Sequence, residues 1–439
     1  MSQFPISPLD GRYARQISDL APEVSEFGLM KYRLEVMSRW VIFLTRHGIA
    51  NHGVEVEETL NNTINKYDDT SYARIKAIEK ITNHDVKAVE YFMREALPES
   101  VWPWIHFACT SEDVNNVAYA LIQEKAGAIC EKELLAILST ISTMAKEWAS
   151  IPMLSRTHGQ AATPTTVGKE IAVFRHRINV VHERIEIFRL TAKWNGATGN
   201  YAAHHIAFAE VDWQLKSRQF IESFNFEWNP LTTQIESHDT MAAMLNNIGQ
   251  LCTIMVDLCS DIWGYVSLDY FGLKVIETET GSSTMPGKVN PIDFENARGN
   301  FKMARGLGRI LSEELPISTW QRDLTDSTLQ RNLGSVYGYY LVGLKSLHRG
   351  LKKLVVRPDV LFADLERHPE VLGEAIQTML RKHGKTDAYE QLKNLLRGNK
   401  VSLQKIRKFI KTLDVPQDDK NRLLGLEPAG YVGYSSLLV

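Results

Sequence analysis

The chain has 439 residues, more than the ~250–300 at which a single hydrophobic core stops growing, so two or three domains are expected. Hydrophobic residues make up 44% of the chain and charged residues 23%, which excludes the disordered, collagen-like and coiled-coil classes. Fifty basic residues against 52 acidic ones give a formal net charge of -2, which argues against a general polyanion binder and against attraction to anionic membranes.

No apolar run reaches the ~18–20 residues that span a bilayer, and the N-terminus lacks the basic and apolar regions of a secretion signal. The four cysteines, at 109, 130, 252 and 259, have neither Cys-x-x-Cys nor zinc-ligand spacing. Metalloprotease, P-loop and dinucleotide-binding motifs are absent from the sequence. We therefore expect a cytoplasmic protein with reduced, mostly buried thiols, no metal site and no membrane partner.

Proline placement predicts the order of the helices, because proline costs ~3 kcal/mol in a helix interior. The first 110 residues hold shorter helical patterns, separated by Gly48, Pro98 and Pro103. Beyond them, long proline-free segments rich in helix formers predict helices at 113–150, 165–194, 238–270 and 326–355. The segment 199–229 is ambiguous. The pattern indicates an all-α fold built around a long-helix bundle, in three parts: residues 1–110, 111–357 and 358–439.

A basic segment lies in the third part. Residues 381–411 contain ten Lys or Arg, with only Asp387 and Glu390 as acids. No aromatic platform is interleaved with these charges, so a solvated helical face is favoured over a nucleic-acid site. No nucleic-acid partner is expected.

The loop from Gly281 to Pro291 is the first candidate for chemistry. Its glycine and small hydroxyl residues leave backbone N–H groups open to an anion, and Lys288 adds a cation. Pro291 then permits a helix start with Asp293 and Glu295 in the first turn. On chemistry alone, the loop is either an anion site or a polar linker.

Two further connections carry polar candidates. His158, followed by Gly159, is a candidate general acid or base because its pKa lies near operating pH; the alternative is a histidine hydrogen-bonded for structure. Thr110 and Ser111 precede two acidic residues at the start of a long helix. That pattern predicts an N-cap, and the same helix terminus could bind an anion.

The segments 82–90 and 321–331 complete the candidates. The first could be only a helix start, capped by Asn83 or Asp85. The second contains two arginines and hydroxyl groups, which suit a carboxylate or a phosphate. Exposed ion pairing is the alternative for these arginines.

Together these segments resemble a known family. The loop Gly281-Ser-Ser-Thr-Met-Pro-Gly-Lys-Val-Asn-Pro291 resembles the signature of the fumarase/aspartase superfamily of fumarate-releasing lyases. The other segments, with 7–13 and 232–234, resemble the bacterial branch of the adenylosuccinate lyases, and the resemblance runs from about residue 7 to the C-terminus. It implies an all-α, three-domain subunit, a homotetramer whose active sites each combine segments of three subunits, and no cofactor.

The reaction implied by this resemblance is β-elimination of fumarate from adenylosuccinate, a nucleotide, which leaves AMP. The same site would also split the succinyl-aminoimidazole-carboxamide ribotide of purine biosynthesis. A base must remove a weakly acidic proton beside a carboxylate, and an acid must protonate the departing nitrogen. Cations and N–H donors must stabilise the dianionic intermediate.

The resemblance also assigns roles to residues. Ser282 falls on the general base, with Ser283 as the alternative, and His158 on the general acid, oriented by Glu295. Lys288 and Asn290 would hold the succinyl carboxylates. The remaining substrate contacts fall on Arg12, Tyr13, Asn83, His84, Asp85, Thr110, Ser111, Gln234, Asn296, Arg322, Ser327 and Arg331.

One position departs from the family pattern. Gly287 stands between the proline and the lysine of the loop, where adenylosuccinate lyases usually carry histidine. We expect a modest effect on loop closure and no change of substrate, because phosphate contacts such as Arg322 and Arg331 have no use in a fumarase. The alternatives are a lyase for argininosuccinate or aspartate, an inactive helical scaffold and, on the basic segment, an RNA binder.

Overall fold

A computed structural model describes residues 4–276, 285, 287–397 and 401–439. Ser282 and Ser283 therefore lie outside the described residues. Within them the chain is predominantly α-helical, which confirms the predicted all-α class.

The helices form an ordered series along the chain. They are α1 (Ala21–Val24), α2 (Glu26–Arg46), α3 (Val54–Asn65), α4 (Asp69–Thr82), α5 (Asp85–Arg94), α6 (Trp102–Ile105), α7 (Ser111–Glu147), α8 (Val167–Glu186), α9 (Ala202–Ala207), α10 (Trp213–Glu222), α11 (Asp239–Ser267), α12 (Ile292–Glu314), α13 (Thr325–Gln330), α14 (Leu333–Lys353), α15 (Pro358–Arg367), α16 (Gly373–Lys382), α17 (Ala388–Leu396), α18 (Leu403–Thr412) and α19 (Gln417–Leu424). Short 3₁₀ turns lie at Ala14–Ile17, Pro369–Leu372, Pro428–Gly430 and Ser435–Leu438.

The longest helices occupy the proline-free segments. Helices α7 and α11 match the predictions at 113–150 and 238–270 to within three residues at each end. The predicted helix 165–194 ends earlier, at Glu186. The predicted helix 326–355 is wrong as one element, because the chain breaks at Arg331 and Asn332, between α13 and α14. Neither residue is a proline or a glycine, so these two positions do not predict an end of the helix.

The strands form three small pairs. β1 (Pro152–Thr157) and β2 (Gln160–Thr166) make an antiparallel hairpin. β3 (Thr191–Ala192) and β4 (Glu227–Trp228) pair in parallel. β5 (Phe271–Leu273) and β6 (Leu354–Val356) are antiparallel. The sequence predicts only a connection between helices in this segment, so the hairpin is not among the predicted elements.

The chain folds into two compact units made of discontinuous segments. Unit 1 comprises residues 1–134, 181–256 and 296–346, and unit 2 comprises 135–180, 257–295 and 347–439. The predicted division into domains 1–110, 111–357 and 358–439 stays a prediction.

The core of unit 1 contains an aromatic cluster. The ring centroid of Trp40 lies 4.9 Å from those of Trp194 and Phe220, and the latter two are 4.6 Å apart. All three side chains are almost fully buried. The Trp40 indole N–H donates to the Phe107 carbonyl at 3.1 Å. The buried Trp194 indole N–H has no hydrogen-bond partner among the described residues. This cluster fixes the chain around 194, beside the start of α7.

Unit 2 contains a separate C-terminal core. Ile376 and Leu380 on α16, and Ile406 and Ile410 on α18, recur at i, i+4 spacing and are buried together. The described basic residues of 381–411 lie outside this buried core, and Lys382, for example, pairs with Asp419 at 2.8 Å. These contacts agree with a solvated helical face.

Helix α11 is long and apolar enough, by length and composition, to cross a membrane. Half of its most apolar stretch is buried inside the protein, as in a core helix. The four cysteines, all of them described, form no disulfide.

Candidate active site

The start of helix α7 carries the predicted contacts Thr110 and Ser111. The backbone N–H of Thr110 donates to Asp113 Oδ2 at 2.8 Å, the reciprocal half of a capping box. Asp113 also accepts from the backbone N–H groups of Asn195 at 3.0 Å and Gly196 at 3.2 Å. One carboxylate therefore holds both the helix terminus and the loop beside it.

Asp113 forms an ion pair with Lys193. The Lys193 Nζ lies 3.0 Å from Asp113 Oδ1, and both side chains are fully buried. Lys193 Nζ also donates to the Gly196 carbonyl at 3.1 Å. The pair is a rigid internal support for Thr110 and Ser111, and sequence reasoning missed Lys193 because 80 residues separate it from Asp113.

Arg322 contacts two other residues that were predicted to bind substrate. Its Nη1 donates to Gln234 Oε1 at 3.3 Å and its Nη2 to Ser327 Oγ at 3.1 Å. The Gln234 amide in turn donates to the Ala197 carbonyl at 3.0 Å. The Arg322 side chain is 13% exposed, so exposed ion pairing does not describe it.

Behind Arg322 lies a buried cluster of ionisable side chains. Arg322 Nη2 lies 3.5 Å from Glu112 Oε2 and 3.8 Å from Asp326 Oδ1. His238 Nε2 lies 3.7 Å from Asp326 Oδ2. We call Glu112, His238 and Asp326 the acid–imidazole cluster. Their separation along the chain hides it from sequence reasoning.

Asp85 and Arg331 form a second charged group in unit 1. The Asp85 Oδ2 lies 2.8 Å from Arg33 Nη1 and 3.1 Å from Arg331 Nη2. Burial raises the pKa of Asp85, but the Arg33 charge and the hydrogen bonds to the carboxylate outweigh it, so the pKa lies below its usual value. Arg331 also lies 3.5 Å from Glu26.

Asn83 and His84 lie at the junction of α4 and α5. Asn83 has φ +52° and terminates α4 in the left-handed region. His84 caps α5, because its Nδ1 accepts from the Lys87 backbone N–H at 3.3 Å. The prediction that Asn83 or Asp85 is the N-cap of α5 is therefore wrong. Asn83 is the C-cap of α4, and Asp85 is the first residue of α5.

Tyr13 and Asn296 are in direct contact in unit 1. Asn296 Nδ2 donates to Tyr13 Oη at 3.0 Å, and Asn296 Oδ1 accepts from Ser346 Oγ at 2.7 Å. Arg12, the preceding residue, is exposed. Unit 1 thus brings the predicted residues together in three groups, around Arg322, Asp85 and Tyr13.

His158 lies at the tip of the β1–β2 hairpin in unit 2. Thr157 pairs with Gln160, so the turn consists of His158 and Gly159, with φ values of +53° and +73°. Two positive φ values define a type I′ turn, whose twist matches the strands. The imidazole is exposed at this tip, where it can meet another molecule.

Lys288, Asn290 and Glu295 also lie in unit 2. Glu295 Oε1 accepts from the Trp263 indole N–H at 3.1 Å. Lys288 is exposed, and both Lys288 and Asn290 line a cavity of about 130 Å³ with Asp293. The role of Glu295 in orienting His158 stays a prediction.

Gly287 has open surroundings. Apart from Gly287 and its two chain neighbours, no described residue has an atom within 4 Å of the position where a Cβ would stand, and the φ of Gly287 is not in the positive range. Neither space nor backbone conformation requires glycine there.

Among the residues that the structure describes, two acid–histidine groups have the composition to hold a metal. In the acid–imidazole cluster, the Arg322 guanidinium already supplies the cation. In the other, His182 faces Glu131 at 3.0 Å through Nε2 and Glu186 at 3.8 Å through Nδ1. A carboxylate near each ring nitrogen indicates ion pairing with the imidazole. We therefore assign a metal to neither group.

Comparison with known proteins defines the class. A family profile described as "Lyase" matches residues 11–306. The fold resembles a fumarate lyase from Mesorhizobium sp. BNC1, with a TM-score of 0.79 at 16% identity over 96% of each chain. It also resembles the 3-carboxy-cis,cis-muconate lactonizing enzyme from Pseudomonas putida, with a TM-score of 0.76 at 19% identity over 96% of this chain and 95% of that one. The protein is therefore a lyase with the fumarate lyase fold.

The sequence comparisons are more specific. A profile described as "Adenylosuccinate lyase C-terminal" matches residues 318–432. The adenylosuccinate lyase of Vibrio cholerae is 44% identical over 98% of this chain and 97% of its own. Those of Haemophilus influenzae and Escherichia coli K12 are 44% and 42% identical over 99% of this chain and 97% of their own. The chain belongs to the adenylosuccinate lyase family of carbon–nitrogen lyases.

Proposed function

We propose that this protein releases fumarate from adenylosuccinate by β-elimination and leaves AMP, and that it splits the succinyl-aminoimidazole-carboxamide ribotide in the same way. The observation that carries the proposal is the Arg322 group. One guanidinium of low exposure donates to both Gln234 and Ser327, in a chain 42–44% identical to adenylosuccinate lyases over nearly its whole length. Such a group suits an anionic nucleotide.

The chemical step needs a base, an acid and charge stabilisation. Ser282 is proposed to remove the proton beside the succinyl carboxylate, and His158 to protonate the departing nitrogen. The exposed hairpin tip supports the second role, because an imidazole there can approach a bound molecule, and imidazole is a common general acid. Glu295 is proposed to orient His158.

The dianionic intermediate requires cations and donors. Lys288 and Asn290 are proposed to hold the succinyl carboxylates, helped by Thr110 and Ser111 at the start of α7. An anion at that position gains from the open N–H groups and the dipole of the helix. The reaction as proposed transfers only protons and breaks one carbon–nitrogen bond, so it needs no cofactor.

The nucleotide is proposed to contact the remaining predicted residues. Tyr13 contacts Asn296, and Arg12 precedes Tyr13 in the chain. Arg331 pairs with Asp85, and Arg322 donates to Gln234. Asn83 and His84 adjoin Asp85. These positions supply both cations for the phosphate and neutral hydrogen-bonding groups for the base and sugar.

The working assembly is proposed to be a homotetramer in the cytoplasm, with each active site built from segments of three subunits. The exposure of His158 at a hairpin tip supports this, because such a residue is free to act in a site that another copy completes. No nucleic acid or membrane partner is proposed.

An ultraviolet assay of the purified protein tests the function. Adenylosuccinate, argininosuccinate, aspartate and malate are supplied separately, and the release of fumarate is followed. We expect AMP and fumarate in equal amounts from adenylosuccinate. Fumarate from another adduct alone would overturn the substrate, and no fumarate from any of the four, with the protein verified as a tetramer, would favour an inactive scaffold.

A further inference from the structure

Glu112 is a buried carboxyl group without hydrogen-bond donors. It is the second residue of α7, its side chain is fully buried, and neither carboxylate oxygen accepts a hydrogen bond from any residue that the structure describes. The Arg322 guanidinium lies nearby, with Nη2 3.5 Å from Glu112 Oε2. Burial of an ionised carboxylate that accepts no hydrogen bond costs free energy. Glu112 therefore needs either the positive charge of Arg322 or a proton.

Charged groups face Glu112 from several elements. His238 lies just before α11, Arg322 and Asp326 flank the start of α13, and Lys193 follows β3. On its own helix, Asp113 is adjacent. The Lys193 charge is already matched by Asp113 at 3.0 Å, so it adds little net stabilisation to Glu112.

The acid–imidazole cluster has more acids than cations. His238 faces Asp326 at 3.7 Å through Nε2 and Glu236 at 3.9 Å through Nδ1. With Glu112, three buried carboxyl groups surround one imidazole and one guanidinium, so full ionisation leaves one surplus negative charge. A single proton on a carboxyl group removes it.

Of these three carboxyl groups, Glu112 is the best placed to take that proton. Glu236 accepts hydrogen bonds from Thr191 Oγ1 at 2.8 Å and from Asn229 Nδ2 at 3.0 Å. Asp326 accepts from the Ser327 backbone N–H at 2.7 Å. Glu112 has no comparable donor, and burial raises its pKa to about 7.

We propose that Glu112 is a positioning residue for Arg322, and that binding of an anionic group of the substrate at Arg322 is coupled to the uptake of one proton by Glu112. In the unliganded protein the ionised carboxylate shares the guanidinium with Gln234 and Ser327. An arriving anion places a second negative charge on the same cation, which favours the neutral acid. The proton comes from solvent and returns to it when product leaves.

This inference rests on the proposed function, because it takes Arg322 as a substrate contact. It also predicts the direction in which substrate affinity changes with pH. The neutral acid competes less for Arg322, so substrate affinity is highest at low pH. The affinity falls as pH rises above the Glu112 pKa of the free protein, by up to about tenfold per pH unit for one coupled proton, until the pKa of the complex is reached.

The test compares the whole wild-type protein with Glu112→Gln. The amide has the shape of the carboxylic acid and cannot ionise. KM for adenylosuccinate is measured between about pH 6.5 and 8.5, and proton uptake on AMP binding is measured by titration calorimetry in two buffers of different ionisation enthalpy. The ligands' own titration is common to both proteins. We expect the wild-type KM to rise relative to that of Glu112→Gln above about pH 7, and AMP to take up fewer protons in the variant.

Two further variants separate a positioning role from a general defect. Glu112→Asp retains a titrating carboxyl and should keep a pH-dependent KM. Glu313→Gln removes an exposed glutamate that also pairs with an arginine, Arg309, at 2.8 Å. It should keep the wild-type profile.

The proposal is overturned if Glu112→Gln follows the wild-type KM at every pH and binds AMP with the same proton uptake. If wild type itself releases no fumarate from adenylosuccinate, the proposed function fails instead. If Glu112→Gln does not fold, infrared spectra of wild type carrying isotope-labelled glutamate decide. A carboxylic-acid band should then appear when AMP is added at alkaline pH, and its absence would overturn the proposal.

Discussion

The buried pair of Lys193 and Asp113 can be broken by Lys193→Met. Methionine keeps most of the apolar stem of the lysine but removes its charge. Asp113 would then stay buried as an anion, with only the backbone N–H groups of Thr110, Asn195 and Gly196 as donors. The Gly196 carbonyl would also lose one of its donors, Lys193 Nζ, and would keep the Gly199 backbone N–H at 3.3 Å.

The expected loss is large because both partners are fully buried. Removing one member of a buried ion pair costs ~3–5 kcal/mol, since it leaves the other charge uncompensated. Unfolding entropy of ~2.1 cal/mol/K per residue amounts to about 0.9 kcal/mol/K for 439 residues. The variant should therefore melt about 3–5 °C below wild type.

Differential scanning calorimetry at fixed protein concentration measures this change. The double variant Asp113→Asn with Lys193→Met removes both charges and should melt above Lys193→Met alone, because no buried charge is left unpaired. Glu313→Gln, which breaks an exposed ion pair with Arg309, is the control and should leave the melting temperature almost unchanged. A Lys193→Met protein as stable as this control would refute the reasoning.

The remaining predictions concern the chemistry and acid stability. His158→Ala should fold and assemble but release fumarate ~10²–10⁴-fold more slowly, the usual contribution of a general acid; a near-normal rate would remove His158 from the mechanism. Ser282→Ala should bind adenylosuccinate without turnover, with Ser283→Ala clearly less severe, and the reverse ranking in the same assay would move the base by one residue. Gly287→His should fold and keep fumarate release within about tenfold of wild type, because the position has room for a side chain; a change of substrate in the four-substrate assay would contradict this. Asp85 has a pKa below its usual value, so its contribution to stability is complete at neutral pH and disappears as pH falls through that lowered pKa. Asp85→Asn should therefore reduce the loss of the free energy of unfolding at acid pH, measured by denaturant unfolding as a function of pH. An unchanged loss at acid pH would exclude this ion pair as its source.

The long helices could be predicted from sequence because each depends on local properties. Residues 111–147 and 239–267 are free of proline and rich in helix formers, and both helices begin near an acidic first turn. The β1–β2 hairpin was missed because its turn is His158-Gly159, not one of the commonest turn pairs. The break between α13 and α14 falls at Arg331 and Asn332, and neither residue type marks a helix end.

Part of the candidate site could be predicted from sequence, because some of its residues are close together along the chain. Arg322, Ser327 and Arg331 lie within one short segment, so a local reading finds them. Lys193 and His238 cannot be found from sequence, because their roles depend on contacts with Asp113 and Asp326, which lie 80 and 88 residues away along the chain. Burial turns such residues into structural or electrostatic partners, and burial is a property of the folded chain.

The backbone at His158 limits which side chains could replace it. A φ of +53° lies in the left-handed region, which only glycine adopts freely and which asparagine, aspartate and histidine tolerate better than other residues. Lysine, glutamate or tyrosine at this position would have to strain the turn before it could transfer a proton. Proton transfer near neutral pH and turn formation therefore converge on a single residue type, and asparagine becomes the inert substitute that leaves the hairpin least disturbed.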